Sequence, residues 1–142
     1  MSGYNLNRFK EAQANDYETA LAELRSGRKR THWIWYVFPQ IDGLGRSSTA
    51  RYYAIADIGE AKAYLADPLL GARLLECANA LLALPGNDPT AVLGYPDDLK
   101  ARSSMTLFEA AGASEARWEP FGAVLDKFYG GERDRATLRL LA

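Results

Sequence analysis

Apolar residues recur every three or four positions along most of this chain, and capping or breaking residues fall between the stretches they define. That period is the signature of amphipathic helices. Asn5 or Asn7 can cap a short first helix carrying Phe9 and Ala12. Asn15 or Asp16 can restart it, Tyr17, Leu21 and Leu24 continue at helical spacing, and Gly27 stops it. Asp57 with Glu60 has the spacing of a capping box, followed by Ala61, Tyr64 and Leu65. Asp67-Pro68 supplies a cap and a first-turn proline for a long apolar helix through Leu70, Leu74, Ala78, Leu81 and Leu82, ending near Pro85-Gly86. Asp88-Pro89 repeats that start signal for a short turn closed by Gly94. Pro96-Asp97-Asp98 opens a helix through Leu99, Arg102, Met105 and Ala110 as far as Gly112. Phe121, Val124, Leu125 and Phe128 line one face of a further helix, stopped by Gly130-Gly131. Asp134 caps a last one through Leu138 and Leu141. No flexible linker, repeat or low-complexity tract interrupts the pattern.

One stretch departs from the helical rhythm. His32-Trp33-Ile34-Trp35-Tyr36-Val37-Phe38 is apolar on every side, and its aromatic and β-branched residues favour a strand. A strand needs a partner, however, and Tyr52-Tyr53-Ala54-Ile55 is too short to be a convincing one. Thr31 can cap and Pro39 can terminate, so residues 32–38 are predicted to form a buried helix at the centre of the domain. The predicted fold is all-α: a compact multihelical single domain over residues 1–142, with about seven helices and a buried aromatic helix.

Composition narrows the function classes. A chain of 142 residues can bury a core without disulfides. Its 48% hydrophobic and 25% charged residues are those of a soluble globular domain. A net charge of −1 gives no global attraction to nucleic acid or to an anionic membrane. The one cysteine, Cys77, sits among leucines and alanines and reads as a small buried hydrophobe. Met1-Ser2-Gly3-Tyr4-Asn5 lacks an export-signal pattern, and no apolar run is long enough to span a bilayer. The expected setting is the cytoplasm, and nothing in the sequence specifies an oligomeric state.

The chemistry-bearing residues concentrate around the aromatic run. His32 is the only histidine and has the intrinsic range of a general acid or base. Packing beside Trp33 is its plain alternative. One histidine and one cysteine cannot build the usual metal ligand sets, so neither a metal nor a cofactor is predicted. Trp33 and Trp35 can wall a pocket or fill the core. Arg28-Lys29-Arg30 precedes the run as a solvated loop or an anion contact. Gly43-Leu44-Gly45-Arg46-Ser47 can approach an anion through its backbone, although it is neither a Walker loop nor a dinucleotide fingerprint. Lys100 shares a helix face with Ser103 or Ser104, and two adjacent serines are poor helix formers.

Several of these blocks carry a family resemblance. His32-Trp33-Ile34-Trp35-Tyr36-Val37-Phe38-Pro39-Gln40, Gly43-Leu44-Gly45 and Lys100-Ala101-Arg102-Ser103-Ser104-Met105-Thr106-Leu107-Phe108 resemble the bacterial family catalogued as domain of unknown function 1810, as does nearly the whole chain. The resemblance implies a compact, multihelical, single-domain fold and carries no established activity.

The leading expectation is binding, with enzymatic turnover left open, of an anionic or nucleotide-like small molecule. Trp33, Trp35, Gln40, Gly43, Gly45, Arg46, Ser47, Lys100, Ser103 and Ser104 are the candidate ligand residues. His32 and Asp97 are the candidate catalytic ones. The loop after Pro39 and the Lys100 helix are expected to meet at this site. The alternative is a non-catalytic protein-interaction module whose aromatic block is only core. Nucleic-acid binding through Arg25, Arg28, Lys29 and Arg30 is the weakest reading, and no membrane association is expected.

Overall fold

The first helix is held by one continuous buried stripe. In the structure, a computed structural model describing residues 4–142, α1 runs unbroken through Asn7–Ser26. Phe9, Gln13, Tyr17, Leu21 and Leu24 are buried at helical intervals along it. Gln13 carries the stripe across the predicted restart at Asn15 or Asp16. It does so by donating from Nε2 to the Tyr36 carbonyl at 2.6 Å and the Tyr64 hydroxyl at 3.1 Å. A buried amide with partners packs as an apolar residue would, so the helix has no reason to break. Gly27, at φ +80°, closes it in the left-handed conformation. The first three residues, part of the stretch read above for an export signal, lie outside the described residues.

The aromatic run makes only one helical turn, α2 (Ile34–Val37). Thr31 does not cap it, because its hydroxyl donates to Glu23 at 2.8 Å, and Trp33 occupies the capping position. Phe38 has left the helical region at ψ 73°, consistent with the restriction proline places on its predecessor. The segment is nevertheless central: Trp33, Ile34, Val37 and Phe38 are buried in the main core, and Trp35 is half-buried against it. After Pro39 the chain touches the segment beyond α3 (Ser48–Tyr52) in a single parallel bridge, Ile41 to Ile55. Helix α3 is the element for which the hydrophobic pattern gives no signal.

The remaining helices follow the sequence signals closely. They are α4 (Ile58–Ala66), α5 (Leu70–Leu82), α6 (Pro89–Leu93), α7 (Asp97–Ala111), α8 (Glu119–Phe128) and α9 (Arg135–Leu141), with a 3₁₀ turn at Ala116–Trp118. Asp57, Asp88 and Asp134 cap α4, α6 and α9 through their carboxylates. Asp67 instead closes α4 and accepts from the amides of Leu69 and Leu70 ahead of α5. Helix α7 is the hub, packing on α4, α6, α8 and α9 and reaching α2. This brings Lys100 of α7 to the aromatic turn. The described residues thus hold nine α-helices against about seven predicted, and no helix is long and apolar enough to cross a membrane.

Candidate functional site

Two lysines and two tryptophans meet around one carboxylate. Lys29 follows α1 and extends its ammonium over the Trp33 ring, 5.0 Å from the centroid. Lys100, from the first turn of α7, stands over Trp35 at 5.3 Å. Asp97 lies between them, 2.9 Å from Lys29 Nζ and 3.4 Å from Lys100 Nζ. The Lys29 side chain is only 6% exposed and also donates to the Thr31 carbonyl at 2.5 Å. Lys100 is 27% exposed and keeps donor capacity toward solvent. Each lysine therefore combines a carboxylate partner with the electron-rich face of an indole. The set carries one net positive charge.

Glu23 fixes the Trp33 half of this arrangement. Its carboxylate accepts from the amides of Arg30 and Thr31, the Thr31 hydroxyl and the Trp33 indole N–H, at 2.8–3.1 Å. Burial alone would raise its pKa, but these four hydrogen bonds outweigh burial and hold it down at about 2.

Trp35 has a different neighbourhood. It opens on a cleft of about 510 Å³ shared with Tyr36, Ser48, Thr49, Tyr52 and Tyr53. The tyrosine rings pack edge-on or tilted, Tyr52 to Tyr53 at 4.8 Å and Tyr53 to Tyr36 at 5.2 Å. Burial and then the neighbouring Asp16 carboxylate push the Tyr36 hydroxyl upward, so it stays a neutral donor across the physiological range. Helix α3 supplies the other wall because Ser47 caps it, accepting from the Ala50 amide at 3.0 Å. The cap turns Ser48, Thr49 and Tyr52 toward the cleft.

The predicted site residues divide into three groups. Trp35 and Lys100 come together, Asp97 joins Lys100, and Ser47 starts the helix that forms the facing wall. Trp33 lies behind them at 1% exposure. A second group serves the fold. The Gln40 carbonyl accepts from the Ile55 amide at 2.8 Å. Gly43, at φ +109°, lies where a Cβ would be 3.3 Å from Leu140 of α9. A Cβ on Gly45 would be 2.4 Å from that of Ala50. These two glycines thus allow the loop to approach α9 and α3 closely. Ser103 donates to Asp134 at 3.0 Å, and Ser104 is fully buried with no partner for its hydroxyl. A third group faces solvent: His32 and Arg46 are exposed, with no side-chain hydrogen bond or ion pair among the described residues.

Sequence reasoning passed over Glu23, Tyr52, Tyr53, Ser48 and Thr49. A signal was present for the last four: a serine cap at Ser47 followed by a hydroxyl pair and a tyrosine pair one turn apart.

Fold and site together define an all-α protein with an aromatic cleft, one of whose walls, Trp35, carries a lysine ammonium over its ring. The chain belongs to the family described as a protein of unknown function (DUF1810), whose model matches residues 3–141. It is similar to the conserved hypothetical protein Rv1873 from Mycobacterium tuberculosis, whose crystal structure shares 48% identity over 96% of this chain and 95% of that one, with a TM-score of 0.92. No curated protein matches the chain.

Proposed function

We propose that this chain binds an anionic, ring-bearing small molecule of nucleotide-like chemistry in the Trp35 cleft. The observation that carries the reading is the half-buried indole of Trp35, which borders a tyrosine-lined cleft and stands beneath the partly exposed ammonium of Lys100. A planar ring gains from aromatic walls, and an attached anion gains from a cation desolvated on one side. Ser48, Thr49 and the tyrosine hydroxyls offer orienting hydrogen bonds. Asp97 serves as the counter-ion that holds Lys100 over the indole.

The test is a thermal-shift and tryptophan-fluorescence screen of nucleoside mono- and diphosphates against their uncharged nucleosides. A ligand at about 100 times its dissociation constant adds ~2.7 kcal/mol of stability. Nucleotides should stabilise more than nucleosides. Tyr52→Ala and Lys100→Gln should each weaken binding about tenfold while the free protein keeps its stability to within about 1 kcal/mol, both positions being surface-accessible. Equal stabilisation by nucleosides and nucleotides, or binding indifferent to both substitutions, overturns the proposal.

A further inference from the structure

A second site stands out on the opposite side of α7. Lys100 and Arg102 are two residues apart, so a helix points them in nearly opposing directions. Arg102 faces a groove of about 650 Å³ between α7 and α9, shared with Arg133, Arg135 and Arg139. Four guanidinium groups around one concavity are unusual in a protein of net charge −1.

Their partners distinguish them. Arg133 is fully engaged: it donates to Glu109 from Nε at 2.9 Å and from Nη2 at 2.5 Å, and to Asp126 and the Gly131 carbonyl from Nη1 at 2.9 Å. It is a strut of the groove wall. Arg102 is the reverse case. Its Nη1 is 4.0 Å from Glu132 and its Nη2 is 3.8 Å from Asp134, both beyond hydrogen-bonding distance. Its Nε–H is buried and has no acceptor. The Arg102 side chain is 27% exposed, and its Nε–H is the donor that solvent does not reach.

The two nearby acids do not answer this demand. Asp134 is held through Oδ2, which accepts from the Thr137 amide, the Thr137 hydroxyl and Ser103, and this leaves its Oδ1 at 3.8 Å from Arg102, outside hydrogen-bonding distance. Glu132 is 80% exposed and therefore well hydrated. Arg135 and Arg139 are exposed, have no ion pair among the described residues, and lie four positions apart on α9. Like charges at that spacing oppose each other, which costs the helix stability unless an anion sits between them.

From these observations we infer that the groove is a binding site for a phosphate-bearing small molecule. Phosphoryl oxygens match the planar, bidentate presentation of guanidinium groups and would give Arg102 the acceptors it lacks. The groove volume is that of a small-molecule site rather than of a single ion. A phosphodiester backbone would call for an extended basic surface, whereas Glu132 and Asp134 interrupt the basic lining of this groove.

The probe is pyrophosphate, titrated calorimetrically at fixed ionic strength. One molecule should bind per chain. Arg135→Gln and Arg139→Gln, both at exposed positions, should each lower its affinity about fivefold or more, and Arg102→Gln should abolish measurable uptake. Arg28→Gln, a surface arginine far along the sequence, should leave uptake unchanged. Absence of saturable uptake overturns the inference. So does uptake that survives the Arg135→Gln/Arg139→Gln double variant, or that is lost in Lys100→Gln instead, since the anion then sits elsewhere. An oligonucleotide that binds more tightly than pyrophosphate, with steep salt dependence through the same arginines, also overturns it, in favour of a nucleic-acid surface.

Discussion

Glu23 shows how one side chain can organise a site that it does not enter. It collects four donors from the segment leading into the aromatic turn, including the N–H of the buried Trp33 indole. Removing the acceptor leaves that indole donor unsatisfied, so Glu23→Ala should cost roughly 2–3 kcal/mol in chemical denaturation. The pH dependence has a definite sign. The folded-state pKa, about 2, lies below the ordinary value of 4.5, so the stabilisation is complete above about pH 4.5 and is lost as the pH falls toward 2. A Glu23→Gln variant should show a flatter acid limb than the wild type, and superimposable limbs would count against this role. Ser104 makes the opposite case. Its hydroxyl is buried without a partner, so Ser104→Ala should be neutral or raise stability by up to about 1 kcal/mol. Cys77 is fully buried, and burial pushes its thiol up to about 12, so native protein should resist thiol reagents at neutral pH until it unfolds.

Among the elements, the legible ones are those that carry a start signal or an apolar stripe. Helices α4, α6, α7, α8 and α9 announce themselves through Asp57, Asp88, Pro96, the Phe121–Phe128 face and Asp134. The reading failed where a polar residue does an apolar residue's packing. Gln13 extends the α1 stripe, yet as a sequence letter it looks like surface, so the capping residues beside it suggested a break. At α2 the helix and its burial are as expected, but it is shorter than residues 32–38, because the hydroxyl of Thr31, a competent cap, is captured by the Glu23 carboxylate eight positions away. The Lys100–Trp35 contact was partly legible because both residues were candidates, whereas α3 shows only its Ser47 cap and no apolar stripe, since none of its residues is buried. Close element packing is likewise invisible locally. A Cβ on Gly71 would sit 2.2 Å from the Leu65 carbonyl oxygen and 3.1 Å from the Trp118 ring. Alanine is the better helix former by about 1 kcal/mol, yet overpacking costs ~1–3 kcal/mol. Gly71→Ala should therefore lower the denaturation midpoint, and a rise would show that α4 and α5 can separate without loss.

At the scale of the whole molecule, Arg8 links the scaffold to the cleft. It is buried in α1 and donates to Glu60 of α4 at 2.9 Å, to the Tyr52 carbonyl at 2.9 Å and to the Ala54 carbonyl at 2.8 Å. Glu60 in turn accepts from the Ala56 amide at 2.7 Å. One guanidinium thereby pins the end of α3, the strand-like segment after it and the start of α4 to the first helix. Removing one member of such a pair strands the other charge, so Arg8→Met should cost about 3–5 kcal/mol. Adding Glu60→Gln to that variant should recover part of the loss, because the stranded carboxylate is gone, and the recovery measures the coupling. The pinned segment also carries Tyr52 and Tyr53, two walls of the Trp35 cleft, although Arg8 itself lines none of it. On the proposed nucleotide-binding reading, Arg8→Met should consequently weaken the nucleotide that binds best in the screen, measured at a temperature where the variant is fully folded. Ala136→Ser, an exchange on the far groove, should not. If the folded Arg8→Met protein binds that nucleotide as tightly as the wild type, the cleft wall is set by α3 alone and the link from scaffold to site is broken.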